Sequence, residues 1–252
     1  MGGASNELSE IRHILASDDS LEEHYSKEVV FQRKLQMKRE EFKEDILKKR
    51  LALKNVSYRM LKSIPFELTP HSMNPVGYAS LLLAAAKATG VERKEENTRA
   101  YLNRALRGKN VCVIGSRFGA LQKVFELFGA NTYGVDTDRA GVDFAKREGL
   151  EAAHGSAEEI DRLFSGKRPD FIVSYQFFDP RYWESERPEL MKKLEDIQRG
   201  ISRHSTNKTI QIHDTIGPPT KFHGTTTIST QREENDHVIV ILKKMAIRRQ
   251  VS

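Results

Sequence analysis

Apolar residues in the first quarter of the chain recur at helical spacing. Phe31, Leu35, Phe42, Ile46 and Leu53 fall on one broad helix face, and from Asn6 to about Lys62 neither Pro nor Gly interrupts the run. Within it, Glu44 and Lys48 stand four apart on the helix surface. The charged stretch around them reads as a solvated face. A basic nucleic-acid arm is the alternative, but Glu40, Glu41, Glu44 and Asp45 sit inside the run and argue against it. A connector with Pro65, Pro70 and Pro75 follows, where missing amide donors favour irregular backbone. Tyr78 to Thr89 reads as a buried helix stopped by Gly90, and Asn97 to Leu106 as another closed by Gly108. These signals divide the chain into a helical N-terminal extension, 1–72, and a main domain, 73–252. The extension is a candidate lid or oligomerisation element.

From Asn110 the texture changes. Short apolar runs alternate with helical segments: NVCVIG, TYGVD, EAAHG, PDFIVSY and TIQIHD read as strands, with a helix between each pair. Continuous apolar strands joined through helices predict a parallel sheet covered on both faces. The chain then gives two β-rich runs, GTTTIST and HVIVILKK, joined by QREEND with no helix. The expected fold class is therefore α/β: a doubly wound, mainly parallel sheet with an antiparallel C-terminal hairpin, preceded by an α-helical N-terminal extension.

Composition narrows the class. The chain has 252 residues, 38% hydrophobic and 30% charged, which suits a globular protein with a sizeable core. A lone cysteine, Cys112, excludes a disulfide framework and a cysteine zinc cluster. The longest apolar run, Ala79 to Ala86, is too short to cross a bilayer. MGGASNELSE has no basic leader before an apolar run, so a cytoplasmic location is expected. The net charge of +6 is mild and spread along the chain. It is compatible with nucleic acid, with an anionic substrate, or with an ordinary basic enzyme.

The most informative segment is Val111 to Ala120. A strand ends at Ile114, a turn containing Gly115 and Gly119 follows, and a helix begins near Ala120. Small residues there let backbone approach a ligand, and helix-start amides favour anionic groups. Asp136 ends the second strand, where an acid can accept both ribose hydroxyls of an adenosine.

On these residues the chain resembles the class I S-adenosylmethionine-dependent methyltransferases, over about residues 108 to 245. Val113-Ile114-Gly115-Ser116-Arg117-Phe118-Gly119 looks like the family's first motif, and Asp136 with Thr137 matches its ribose-binding acid. Ser156 and Ala157 look like the segment that borders adenine. Phe171 to Tyr175 matches the fourth strand, with Ser174 near its end, and the closing hairpin fits as well. The resemblance implies S-adenosylmethionine as cofactor, bound by Gly115, Ser116, Arg117, Gly119, Asp136, Thr137, Ser156, Ala157 and Ser174.

Two departures stand out. Arg117 occupies a position the family usually fills with glycine. Its side chain could crowd the cofactor, turn outward, or pair with the methionine carboxylate. Gln176-Phe177-Phe178-Asp179-Pro180 is not the signature common in nucleic-acid amino methyltransferases, which favours a small-molecule acceptor while leaving nucleic acid open. A catalytic base is sought at strand ends on the carboxyl edge of the sheet: Tyr175 and Asp179 after the fourth strand, His213 with Asp214 after the fifth. Each has a plainer reading as packing, turn or loop. His213 and His223 lack a metal-ligand pattern, so no metal is expected.

Three functional classes remain open. The first is a methyltransferase, with a homodimer through the N-terminal helices as one assembly. The second is a non-catalytic Rossmann-like module that contacts nucleic acid. The third is a nicotinamide oxidoreductase, which the G-x-x-x-G spacing of Gly115 and Gly119 disfavours.

Overall fold

A computed structural model of the chain describes residues 3–52, 75–94, 97–178, 188–216, 225–232 and 237–244. The N-terminal part contains α1 (Gly3–Ala16) and α2 (Asp19–Ala52), followed by α3 (Pro75–Ala88) and α4 (Thr98–Leu106). Then β1 (Asn110–Ile114), α5 (Ala120–Glu126), β2 (Asn131–Asp136), α6 (Arg139–Arg147), β3 (Ala152–His154), a short 3₁₀ turn and α7 (Ile160–Leu163) alternate. They are followed by β4 (Phe171–Tyr175), α8 (Pro188–His204), β5 (Ile210–Ile216), β6 (Thr225–Arg232) and β7 (His237–Lys244).

The seven strands form one sheet in the order β3-β2-β1-β4-β5-β7-β6. The first five are parallel, and β7 lies antiparallel between β5 and β6. The fold class read from the sequence therefore holds, including the closing hairpin. One detail is corrected: His213 and Asp214 do not follow the fifth strand but lie within it, paired on both sides with β4 and β7. Two further residues of β-rich sequence, Thr215 and Ile216, carry the strand on.

Strand periodicity sorts the core. Val111 and Val113 of β1 point to one face, where α3 and α5 supply Leu81, Leu82, Val124 and Phe125. Cys112 and Ile114 point to the other, where Ile160, Leu194, Ile197 and Ile201 cover them. Buried residues occupy every position from Gly77 to Ala86 in α3, because α1, α4 and the sheet enclose that helix together. Local capping fixes neighbouring helix starts: Asn97 accepts from the amide of Ala100 at 2.9 Å, and Asp138 from those of Ala140 and Gly141.

Leu8, Ile11 and Leu15 of α1 and Leu21 and Tyr25 of α2 belong to the same buried cluster as Leu81 and Val124. Phe31 packs against Phe118 and Phe144, with the Arg147 guanidinium 4.7 Å from its ring centre. The start of the N-terminal extension thus shares the core of the α/β unit. The side chains of Phe42 and Ile46, with Leu53 and the expected boundary near residue 72, lie outside the described residues. Among the described residues, no helix is long and apolar enough to cross a membrane.

Candidate functional site

The order of the sheet reverses at β1 and β4, and the turn after β1 opens at that switch point, on the carboxyl edge. Gly115 leaves β1 with φ +70°, and a Cβ there would stand 3.0 Å from the Phe177 ring. Both facts call for glycine. Arg117 also takes a left-handed backbone, φ 43°, uncommon for a residue with a side chain. Its amide donates to Asp136 Oδ2 at 2.8 Å, while the amide of Asp138 donates to Oδ1 at 2.7 Å. Burial holds the Asp136 carboxyl above its usual range, and the two amides partly offset that. Each oxygen keeps acceptor capacity for one more donor, which is what a vicinal diol offers.

The Arg117 side chain is half-buried and turns to the rim. Its Nε lies 3.7 Å from Asp138 Oδ2, and its guanidinium sits 5.1 Å from the centre of the Phe118 ring. The side chain thus contacts Asp138 and Phe118, and the residue also lines the cleft, where its charge acts on Glu28.

Helix α2 braces this turn from the other side. His24 Nε2 lies 3.1 Å from the carbonyl of Phe118, an acceptor, so Nε2 carries the hydrogen. Burial lowers the His24 pKa to about 4, with the nearby Lys123 charge adding to it, so the ring is neutral near pH 7. One turn further, Glu28 reaches the cleft itself.

That cleft has a volume of about 240 Å³ and is lined by Glu28, Tyr78, Gly115, Arg117, Tyr175 and Gln176, among others. Tyr78 and Tyr175 meet edge to face, 5.2 Å between ring centres. Gly77 makes room for this arrangement, since a Cβ at that position would collide with the Tyr175 ring. Gln176 takes a left-handed backbone, φ 54°, donates its amide to the carbonyl of Asp214 at 2.9 Å, and its Nε2 donates to Tyr175 Oη at 3.1 Å. Glu28 is only 2% exposed; Gln32 Nε2 donates to its Oε1 at 2.6 Å, and its Oε2 has no hydrogen-bond partner among the described residues. Burial pushes its carboxyl up to about 7, against the pull of Gln32 and Arg117.

The structure gathers Gly115, Ser116, Arg117 and Tyr175 around this cleft, with Asp136 and Thr137 beside the turn. The remaining candidates lie apart from it. Gly119 faces away, against Leu150, where a Cβ would collide. Ser156 caps the 3₁₀ turn after β3 together with Glu159, and Ala157 is buried against the α8 side of the sheet. Ser174 is fully buried, its Oγ 2.8 Å from His213 Nδ1. His213 is fully buried too, packed against the Phe178 ring at 4.7 Å, and burial lowers its pKa to about 3. Asp179 lies outside the described residues.

Sequence reasoning passed over Glu28 and Tyr78. A signal for Glu28 was present: Leu21, Tyr25, Glu28 and Gln32 follow helical spacing and are all buried, so an acid stands on the inward stripe of α2. Tyr78 announced only burial.

No family model and no curated protein matches the chain. Solved structures similar to it include magnesium protoporphyrin IX methyltransferase from Synechocystis with bound SAM, 13% identical, covering 74% of this chain and 88% of that one, TM-score 0.46. A S-adenosylmethionine-dependent methyltransferase from Clostridium acetobutylicum is 11% identical over 57% of this chain and 87% of its own, TM-score 0.44. A SAM-dependent methyltransferase from Aquifex aeolicus is 15% identical over 56% and 84%, TM-score 0.42. The chain's own strand order and inserted antiparallel strand form the Rossmann-like α/β sheet that the sequence resemblance implies.

Proposed function

We infer that the chain is an S-adenosylmethionine-dependent methyltransferase acting on a small-molecule acceptor. The observation that carries this reading is the pairing of the Gly115 turn with Asp136. The turn donates its Arg117 amide to the acid and holds that carboxylate at the switch point of the sheet, with acceptor sites to spare. Asp136 would take the ribose hydroxyls, and the backbone from Gly115 to Arg117 would border the rest of the cofactor. When bound, the sulfonium supplies an electrophilic methyl group and its own leaving group. The protein's share of the work is alignment and exclusion of water. The aromatic walls of Tyr78 and Tyr175 and the interior position of Glu28 suit that task.

The test is calorimetric titration with S-adenosylmethionine and S-adenosylhomocysteine, with Asp136→Ala as control. Micromolar binding abolished by the control supports the reading. Silence with both ligands returns the chain to a non-catalytic binding module, and steeply salt-dependent binding of generic RNA would then define its partner.

A further inference from the structure

Glu28 is a buried ionisable group at the cleft to which cofactor binding assigns no task. It comes from α2, outside the α/β unit that supplies the glycine turn and Asp136. One carboxyl oxygen is held by Gln32 and the other has no hydrogen-bond partner among the described residues. A buried carboxyl oxygen without a donor is costly, so a position that keeps one calls for a donor from outside the chain. The nearby cation does not fill this need: the Arg117 guanidinium is turned to Asp138 and the Phe118 ring. Two tyrosine rings, Tyr78 and Tyr175, line the same cleft. A carboxylate with aromatic rings beside it is the surrounding that a compact organic cation prefers over water, through charge pairing and cation–π attraction.

We propose that Glu28, Tyr78 and Tyr175 form the binding site for the ammonium group of a protonated amine acceptor, and that Glu28 takes its proton. The methyl-transfer step rests on the methyltransferase reading, whereas the cation site stands on its own geometry. The proton passes from the ammonium nitrogen to Glu28 Oε2, and the nitrogen keeps the electron pair. That pair forms the new nitrogen–carbon bond while the sulfur–methyl pair goes to sulfur, leaving a methylated ammonium and the thioether. Glu28 then returns its proton to water. A carboxyl raised to about 7 is matched to this exchange near neutrality. Burial, Gln32 on α2 and Arg117 in the turn set its titration; the other titratable groups around it are Tyr25 on α2 and Tyr78 on α3, which feel its charge, and Tyr175 at the end of β4, which lines the same cleft.

The test uses the full chain saturated with S-adenosylhomocysteine and two probes of one shape, 2-phenylethylamine and 2-phenylethanol. Binding is read by calorimetry and by the ¹³C shift of the Glu28 carboxyl. The amine is expected to bind at least about tenfold more tightly than the alcohol. Its advantage should grow as pH rises through about 7 and vanish in Glu28→Gln, with S-adenosylhomocysteine affinity unchanged. The pH arm needs no variant, so a folding defect in Glu28→Gln leaves the question decidable. Equal binding of the two probes, or an unmoved carboxyl shift with both at millimolar concentration, overturns the site. So does a Glu28→Gln variant that loses S-adenosylhomocysteine as steeply as the amine, because the carboxylate then belongs to the cofactor. Selective amine binding by a chain that ignores S-adenosylhomocysteine keeps the cation site and removes the methyltransferase reading; the reverse pattern does the opposite.

Discussion

The amide of Arg117 and the carboxylate of Asp136 are joined at 2.8 Å across nineteen residues of sequence. The acid therefore has a structural duty before any ligand arrives: it terminates two main-chain donors, at Arg117 and Asp138, in a half-buried turn. Asp136→Ala is expected to lose stability as well as adenosine affinity, by about 1–3 kcal/mol for the amides left unpaired. Denaturant unfolding beside the cofactor titration separates the two losses. Unchanged stability would show that water replaces the carboxylate.

Gly77 offers a cleaner probe of the cleft, because it brings no side chain of its own and leaves room for the Tyr175 ring. Gly77→Ala drives a methyl group into the Tyr175 ring. Overpacking of this kind typically costs about 1–3 kcal/mol. The expected outcome is a lowered urea midpoint together with weaker ligand binding, and Tyr175→Leu added to Gly77→Ala should restore part of the stability.

Glu28 couples the cleft to pH. Its pKa is raised from 4.5 to about 7, so between those values the native state holds a proton that the unfolded chain has released. Stability contributed at this site is full below pH 4.5 and falls as pH rises toward 7, by up to on the order of 3 kcal/mol. Glu28→Gln, neutral at every pH, should therefore raise the melting temperature at pH 8 and change it little at pH 4. Equal effects at both ends would mean that the carboxyl titrates normally.

His213 acts with the opposite sign. Its pKa is depressed from 6.5 to about 3 by burial, so the unfolded chain takes up a proton that the native state refuses. Its contribution is present above pH 6.5 and drains away as pH falls toward 3. His24, lowered to about 4, adds to the same slope. His213→Gln is expected to flatten the acid side of the stability profile, measured by denaturant unfolding across that window.

The scaffold was legible in the sequence because strands and helices announced themselves by period. Val111 to Ile114 and Phe171 to Val173 are apolar without alternation, as buried parallel strands must be. The site was only half legible. Gly115 and Asp136 carry their own signal, a glycine turn and an acid at two strand ends. Glu28 does not, because its meaning depends on where α2 lands, and that is decided by tertiary contacts such as His24 with Phe118 and Phe31 with Phe144. His213 misled for a related reason: a histidine near a strand end resembles a base until pairing with both β4 and β7 places it inside the sheet.

Cys112 occupies a central strand, fully buried, and burial raises its thiol far from ionisation. The natural chain thus contains a single sulfhydryl that is silent while the sheet is closed. A thiol-reactive dye would find it only when β1 parts from its neighbours, so the labelling rate counts openings of the middle of the sheet. For the same reason, a cysteine engineered onto the rim of the cleft would react alone, and a fluorophore attached there would report ligand arrival free of background from the native residue.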